Sequence, residues 1–246
     1  MNTQLEGAVW SSAGSAPLVA HASAEERAAF ITRTYLHLFG AIGAFAALEL
    51  LWFATPLAGA MLQFFVLGRF AMLLFVAAFV GVSYMANNWA MSAVSKPKQY
   101  LGLGLYTLFE SILFVPLIAM ALMASVGPGH MAILPRAMLI TTTLFGGLTG
   151  VVFITRKDFS FMRSALLFAG FAATGLVLLS LLFGFTLGLG FSYAMIALAC
   201  GYILYDTSNV MRHYRTNQHV GAALALFAAV MLLFWYVLRV LLSRRR

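Results

Sequence analysis

The chain has 246 residues, 63% apolar and 9% charged, with a formal net charge of +8. Soluble domains average about 45–50% apolar and about 25% charged residues, so this composition, with a mean hydropathy of +0.94, excludes an ordinary soluble domain and places the chain in a membrane. The 15 Lys and Arg residues sit at the edges of apolar runs rather than in one basic patch with interleaved aromatics, which points to lipid headgroups and away from nucleic acid.

Residues 1–29 are rich in Ser and Ala and lack a basic start followed by an apolar core. They read as a mobile cytoplasmic tail rather than a signal peptide, with one transmembrane domain over 30–246. Seven apolar runs follow, each long enough for the roughly 20 residues a spanning helix needs. They cover about Phe30 to Ala54, Phe70 to Trp89, Tyr100 to Met123, Met131 to Ile154, Ser164 to Phe185, Leu189 to Ser208 and Val220 to Leu242. The runs lack period-2 alternation and the backbone must satisfy its own hydrogen bonds in lipid, so they predict helices and an all-α, seven-transmembrane-helix bundle.

With the N-terminus inside, nine basic residues face the cytoplasm: Arg27, Arg33, Lys96, Lys98, Arg156, Lys157, Arg163, Arg212 and Arg215. Six face the other side: Arg69, Arg136, Arg239, Arg244, Arg245 and Arg246. The terminal "SRRR" runs against the rule. Gly146 with Gly150, Gly184 with Gly188, and the stripe Gly221, Ala225, Ala229 are small-xxx-small patterns that permit close helix packing. The single cysteine, Cys200, has no partner for an intramolecular disulfide and reads as a small apolar residue.

Of seven acids, Glu6, Glu25, Glu26 and Asp158 lie in tails or loops, and Glu49, Glu110 and Asp206 lie inside apolar spans. A charge near the bilayer centre costs about 2.5–3.5 kcal/mol or more, which makes each of these three a functional candidate. Asp206 sits near the cytoplasmic end of the sixth span, with Tyr202 at i−4, Asn209 at i+3 and His213 at i+7 on roughly one face. This face suits a proton-sensitive gate; the alternative is an edge ion pair with Arg212. Glu110 lies in mid-span, and Pro116 leaves the Ile112 carbonyl without its helical donor. The two suit a cation or proton path, or else a protonated Glu110 bonds across helices. Glu49, near the outer end of the first span, ranks third and is expected to reach the headgroups.

The histidines show no metal spacing; His37 lies on the first span, His130 in an outer turn, and His213 and His219 flank the last short loop. No hydrolase, P-loop or dinucleotide motif occurs, so neither an enzyme nor a bound cofactor is expected.

The stretches "TRKDFSFM", "GYILYDTSNVM" and "HVGAALALFAAVMLLFWYVLR", with "QYLGLGLYTLFESILFVPLI", resemble the Bax inhibitor-1 family, and the resemblance covers about Arg33 to Arg239. It implies a multi-pass protein, here of a bacterial inner membrane, whose seventh helix is wrapped by the other six. It also implies a pH-sensitive calcium leak gated by two aspartates that share a proton. Asp206 matches the first of these; the position of the second is Ala229 here. The alternative function is a non-transporting regulator that binds other membrane proteins, such as a quality-control protease.

Overall fold

The computed structural model describes residues 16–92, 96–125 and 132–244, so His130, expected in an outer turn, and Met131, the expected start of the fourth span, lie outside the described residues, as do Glu6, Arg245 and Arg246. Eight α-helices occur among the described residues: α1 (Ala24–Ala54), α2 (Leu57–Val66), α3 (Arg69–Ala90), α4 (Lys96–Met123), α5 (Ile133–Thr155), α6 (Arg163–Phe183), α7 (Leu189–Arg212) and α8 (His219–Ser243). All but α2 are long and apolar enough to cross a membrane.

The fold begins earlier than expected. Ser23 and Glu26 form a reciprocal capping box, in which the Glu26 amide donates to Ser23 Oγ (3.2 Å) and the Ser23 amide donates to Glu26 Oε2 (3.1 Å). These two bonds satisfy free amides at the helix start and set α1 at Ala24 rather than Phe30. Within the expected tail at 1–29, residues 16–23 are built into the bundle end. Val19 is fully buried, its amide donates to the Tyr214 carbonyl (2.9 Å), and the Thr216 amide donates to the Pro17 carbonyl (3.0 Å). The short helix α2 lies between the first two predicted spans, where no element was expected. Pro56 starts it, and its ten residues are too few to span.

The seventh span is central. Seventeen of the 25 residues of α8 are buried, and α1, α3, α4, α5 and α7 all pack on it. The remaining span, α6, packs on α3 and α7, and its Ala173 forms a small apolar cluster with Met195 of α7 and Tyr236 of α8. Phe114 of α4 joins three helices, lying 5.1 Å from Phe45 of α1 edge-on and 5.5 Å from Phe234 of α8 in a stacked pair, centroid to centroid. Such pairs add about 0.5–1.5 kcal/mol each beyond burial.

Two of the three glycine patterns do not serve packing. A Cβ at Gly146, Gly150 or Gly188 would meet nothing within 4 Å, and Gly184 is instead the left-handed cap of α6 (φ 76°). Gly221 is different, because a Cβ there would stand 2.9 Å from the Ala90 carbonyl oxygen, so the stripe on α8 lets α3 approach.

Candidate functional site

Four consecutive polar residues at the end of α7, Asp206, Thr207, Ser208 and Asn209, are buried, with exposures of 8%, 0%, 0% and 9%. Consecutive residues on a helix point in directions about 100° apart, so α7 is enclosed on every side here and each polar group looks into a different neighbour.

Ser208 looks toward the loop between α5 and α6. Its Oγ accepts from the Phe159 amide (3.1 Å) and lies 3.5 Å from both the Lys157 carbonyl and Asp158 Oδ1. One turn on, the Arg212 guanidinium donates to the Arg156 carbonyl, and His213 Nε2 lies 3.8 Å from Asp158 Oδ2. Arg156 itself sits in the left-handed region (φ 51°), which turns the chain out of α5. Asp158 is held below the usual carboxylate range, chiefly by the Ser160 amide that donates to it at 2.9 Å, with His213 and Arg212 adding. The two quoted stretches "TRKDFS" and "YDTSN" thus form one latch.

Thr207 looks inward. Its hydroxyl and that of Thr149 on α5 lie beside the Tyr35 phenol of α1, and among the described residues none of the three completes a hydrogen bond of good geometry.

Asp206 looks toward Tyr214, the first residue after the α7 cap. Burial, then the neighbouring Asp206 and Tyr205, push the Tyr214 phenol above its usual range, and its ring packs against Phe30 at 6.4 Å. Among the described residues Asp206 forms no salt bridge.

The expected face is therefore divided. Tyr202 donates to the Leu166 carbonyl of α6 (2.9 Å), where Gly170 leaves room for the phenol. His213 turns to Asp158, and Arg212 caps the α5 end instead of pairing with Asp206. Asn209 is buried, and its carbonyl accepts the His213 amide (2.8 Å), closing the helix.

Glu110 is 5% exposed, lies one turn below Phe114 and faces Tyr106 at i−4; its Oε2 has no hydrogen-bond partner among the described residues. Glu49 does not reach the headgroups as expected. It is 7% exposed, with both oxygens unpartnered among the described residues, because it continues the stripe Phe30, Thr34, Leu38, Ala41, Phe45 that α1 turns into the bundle.

Tyr214, Asp158, Ser208, Thr207, Tyr35 and Thr149 were missed. A run of polar residues in an apolar chain was the available signal for two of them, Thr207 and Ser208.

The chain is similar to several known proteins. It is 31% identical over 116 residues to an uncharacterized membrane protein of Vibrio cholerae, covering 46% of this chain and 51% of that protein. It is 27% identical over 156 residues to Bax inhibitor 1 of Schizosaccharomyces pombe (61% and 54%) and 32% identical over 108 residues to Protein lifeguard 4 of Mus musculus (43% and 45%). The chain spans about half the length of the curated relatives it matches. The family described as Inhibitor of apoptosis-promoting Bax1 matches residues 27–246, which contain the latch, the enclosed end of α7 and the central α8; the chain belongs to the Bax inhibitor-1 family.

Proposed function

We propose that the protein is a pH-sensitive cation leak of a bacterial inner membrane, with calcium as the permeant ion and Asp206 as the gate. The observation that carries this reading is a buried carboxyl, unpaired by any cation among the described residues, at the bundle end where the α5–α6 and α7–α8 loops meet. Protonated, Asp206 is a neutral group that the surrounding polar side chains accommodate. Ionised, it is a buried charge that needs water or a cation beside it. The unpartnered hydroxyls of Tyr35, Thr149 and Thr207 supply oxygen ligands at the neighbouring turn, and Glu110 is a second acid on the inward route. Calcium takes oxygen ligands, carboxylates among them, and the two buried acids offer these.

Ala229 stands where the resemblance calls for a second aspartate and is buried in α8. The switch therefore centres on one carboxyl and its pH response is shallow. Calcium flux into proteoliposomes against pH, with inserted protein matched, tests this. Asp206→Asn should remove most of the pH response, and Ala229→Asp, by adding a coupled acid, should turn one shallow step into two resolved ones. Superimposed curves for all three proteins would sink the proposal.

The second reading, a non-transporting regulator of other membrane proteins, is favoured by α3, in which only Ala86 and Ala90 are buried and a long apolar face stays open. The same vesicles separate the two, since a leak moves calcium without any added protein.

A further inference from the structure

Residues of α1 and α4 line a groove of about 380 Å³, among them His37, Gly40, Ala44, Tyr100, Gly104 and Thr107. Its floor is low because two of its residues are glycines. A Cβ at Gly40 or Gly104 would meet no atom within 4 Å, so neither glycine is required for helix contact and both keep the trough open. From Leu36 to Leu48 the groove follows α1 for about 18 Å at about 1.5 Å per residue. That is close to one leaflet of a hydrocarbon core about 30 Å thick.

The mouth is polar and basic. His37 Nε2 lies 3.1 Å from the Tyr100 hydroxyl, and its Nδ1 lies 2.6 Å from the Arg33 carbonyl. The His219 ring, at the start of α8, stands 5.0 Å from His37, is 8% exposed, and has an Nδ1 without a hydrogen-bond partner among the described residues. Arg33 and Lys96 lie close enough for their charges to act on the same ring. Among the described residues no acidic side chain acts on the His219 ring, so positive charge gathers beside the polar end of an apolar trough of acyl-chain length.

We propose that this groove is a binding site for one phospholipid with an anionic headgroup, whose phosphate sits at Arg33, Lys96, His37 and Tyr100 and whose acyl chain lies over Gly40 and Gly104. The charge at the mouth selects the headgroup and the two glycines admit the chain. The site is separate from Asp206 and holds whether or not the protein passes calcium.

Native mass spectrometry of the intact chain, extracted from vesicles holding equal palmitoyl-oleoyl phosphatidylglycerol and phosphatidylcholine, tests this. The parent should retain one phosphatidylglycerol in preference to phosphatidylcholine. Arg33→Gln and Lys96→Gln should each lower that preference about fivefold, corresponding to about 1 kcal/mol per basic residue near a headgroup. Gly40→Leu with Gly104→Leu should lower retention of both lipids. If that pair fails to insert, the two charge variants, both at exposed positions, decide the matter alone. Equal retention of the two lipids by the parent, or an unchanged preference in Arg33→Gln/Lys96→Gln, overturns the proposal. So does a lipid-free dimer, which would assign the groove to a second copy of the chain.

Discussion

Asp206, Glu110 and Glu49 are all buried carboxyls in spanning helices, yet their surroundings differ. Asp206 lies at the bundle end beside Tyr214, a residue of the α7–α8 loop. Glu110 is deep in α4 beside Tyr106, and Glu49 has only apolar stripe neighbours on α1. Glu110→Gln keeps shape and hydrogen bonding but removes the charge. If Glu110 lies on the ion's route, calcium flux should fall roughly tenfold, equivalent to about 1.4 kcal/mol, with the amount of inserted protein unchanged. Flux equal to the parent would make Glu110 a structural group. Phe114 provides the contrasting case of a purely structural residue. Phe114→Ala should cost about 3–5 kcal/mol, read as a lower melting temperature in detergent, because one fully buried ring joins α1, α4 and α8.

Among the elements, the latch between the α5–α6 loop and the end of α7 and the crossing of α3 over α8 carry distinct expectations. Ser208→Ala leaves the Phe159 amide without its acceptor in a part-buried place, at a cost of about 1–3 kcal/mol. The loop at 156–163 should then be cut faster by protease. Asp158 has a depressed carboxyl in the folded chain, so its contribution is present above the ordinary aspartate value of about 3.9 and is lost as pH falls through its lower folded value. Stability lost through protonation of Asp158 should therefore appear in acid. An acid loss centred at or above the ordinary aspartate value of about 3.9 that Asp158→Asn removes would contradict this. At the crossing, Gly221→Ala gains up to about 1 kcal/mol of helix propensity but drives a methyl against Ala90 and Met91, an overpacking cost of about 1–3 kcal/mol. The clash should win and lower the melting temperature. Gly146→Ala meets open space and should raise it.

For the molecule as a whole, the loops predicted to share one side of the membrane do meet at one end. Gln99 donates to the Ser92 carbonyl (2.5 Å) and the Asn217 carbonyl (3.3 Å), Gln218 donates to the Met91 carbonyl (3.4 Å), and Arg215 donates to the Ala16 carbonyl (2.9 Å). Which side of the membrane this end faces is a matter of basic-residue bias. Reporter fusions in the loops at 96–98, 156–157 and 212–215 should all report from the cytoplasm, and an external signal from any of them would reverse the orientation.

The seven spans, the all-α class and the family were legible in the chain itself, because in lipid a backbone has few ways to satisfy its own hydrogen bonds and an apolar run of this length is a helix. The three intramembrane acids were legible for the same reason, as charges where the solvent disfavours them. The capping box at Ser23 and Glu26 was written in the residues "SAEE" and passed over, because hydropathy marks where apolar residues begin and not where the helix does. Partnership was decided elsewhere. Helical spacing put Tyr202, Asn209 and His213 beside Asp206, but spacing along one helix says only which side chains share a face, and the neighbours of that face come from other helices. Leu166 took the Tyr202 hydroxyl, Asp158 took His213, and the α5 end took Arg212. Those choices depend on contacts 36 to 56 residues apart in the chain, which only packing around α8 brings together.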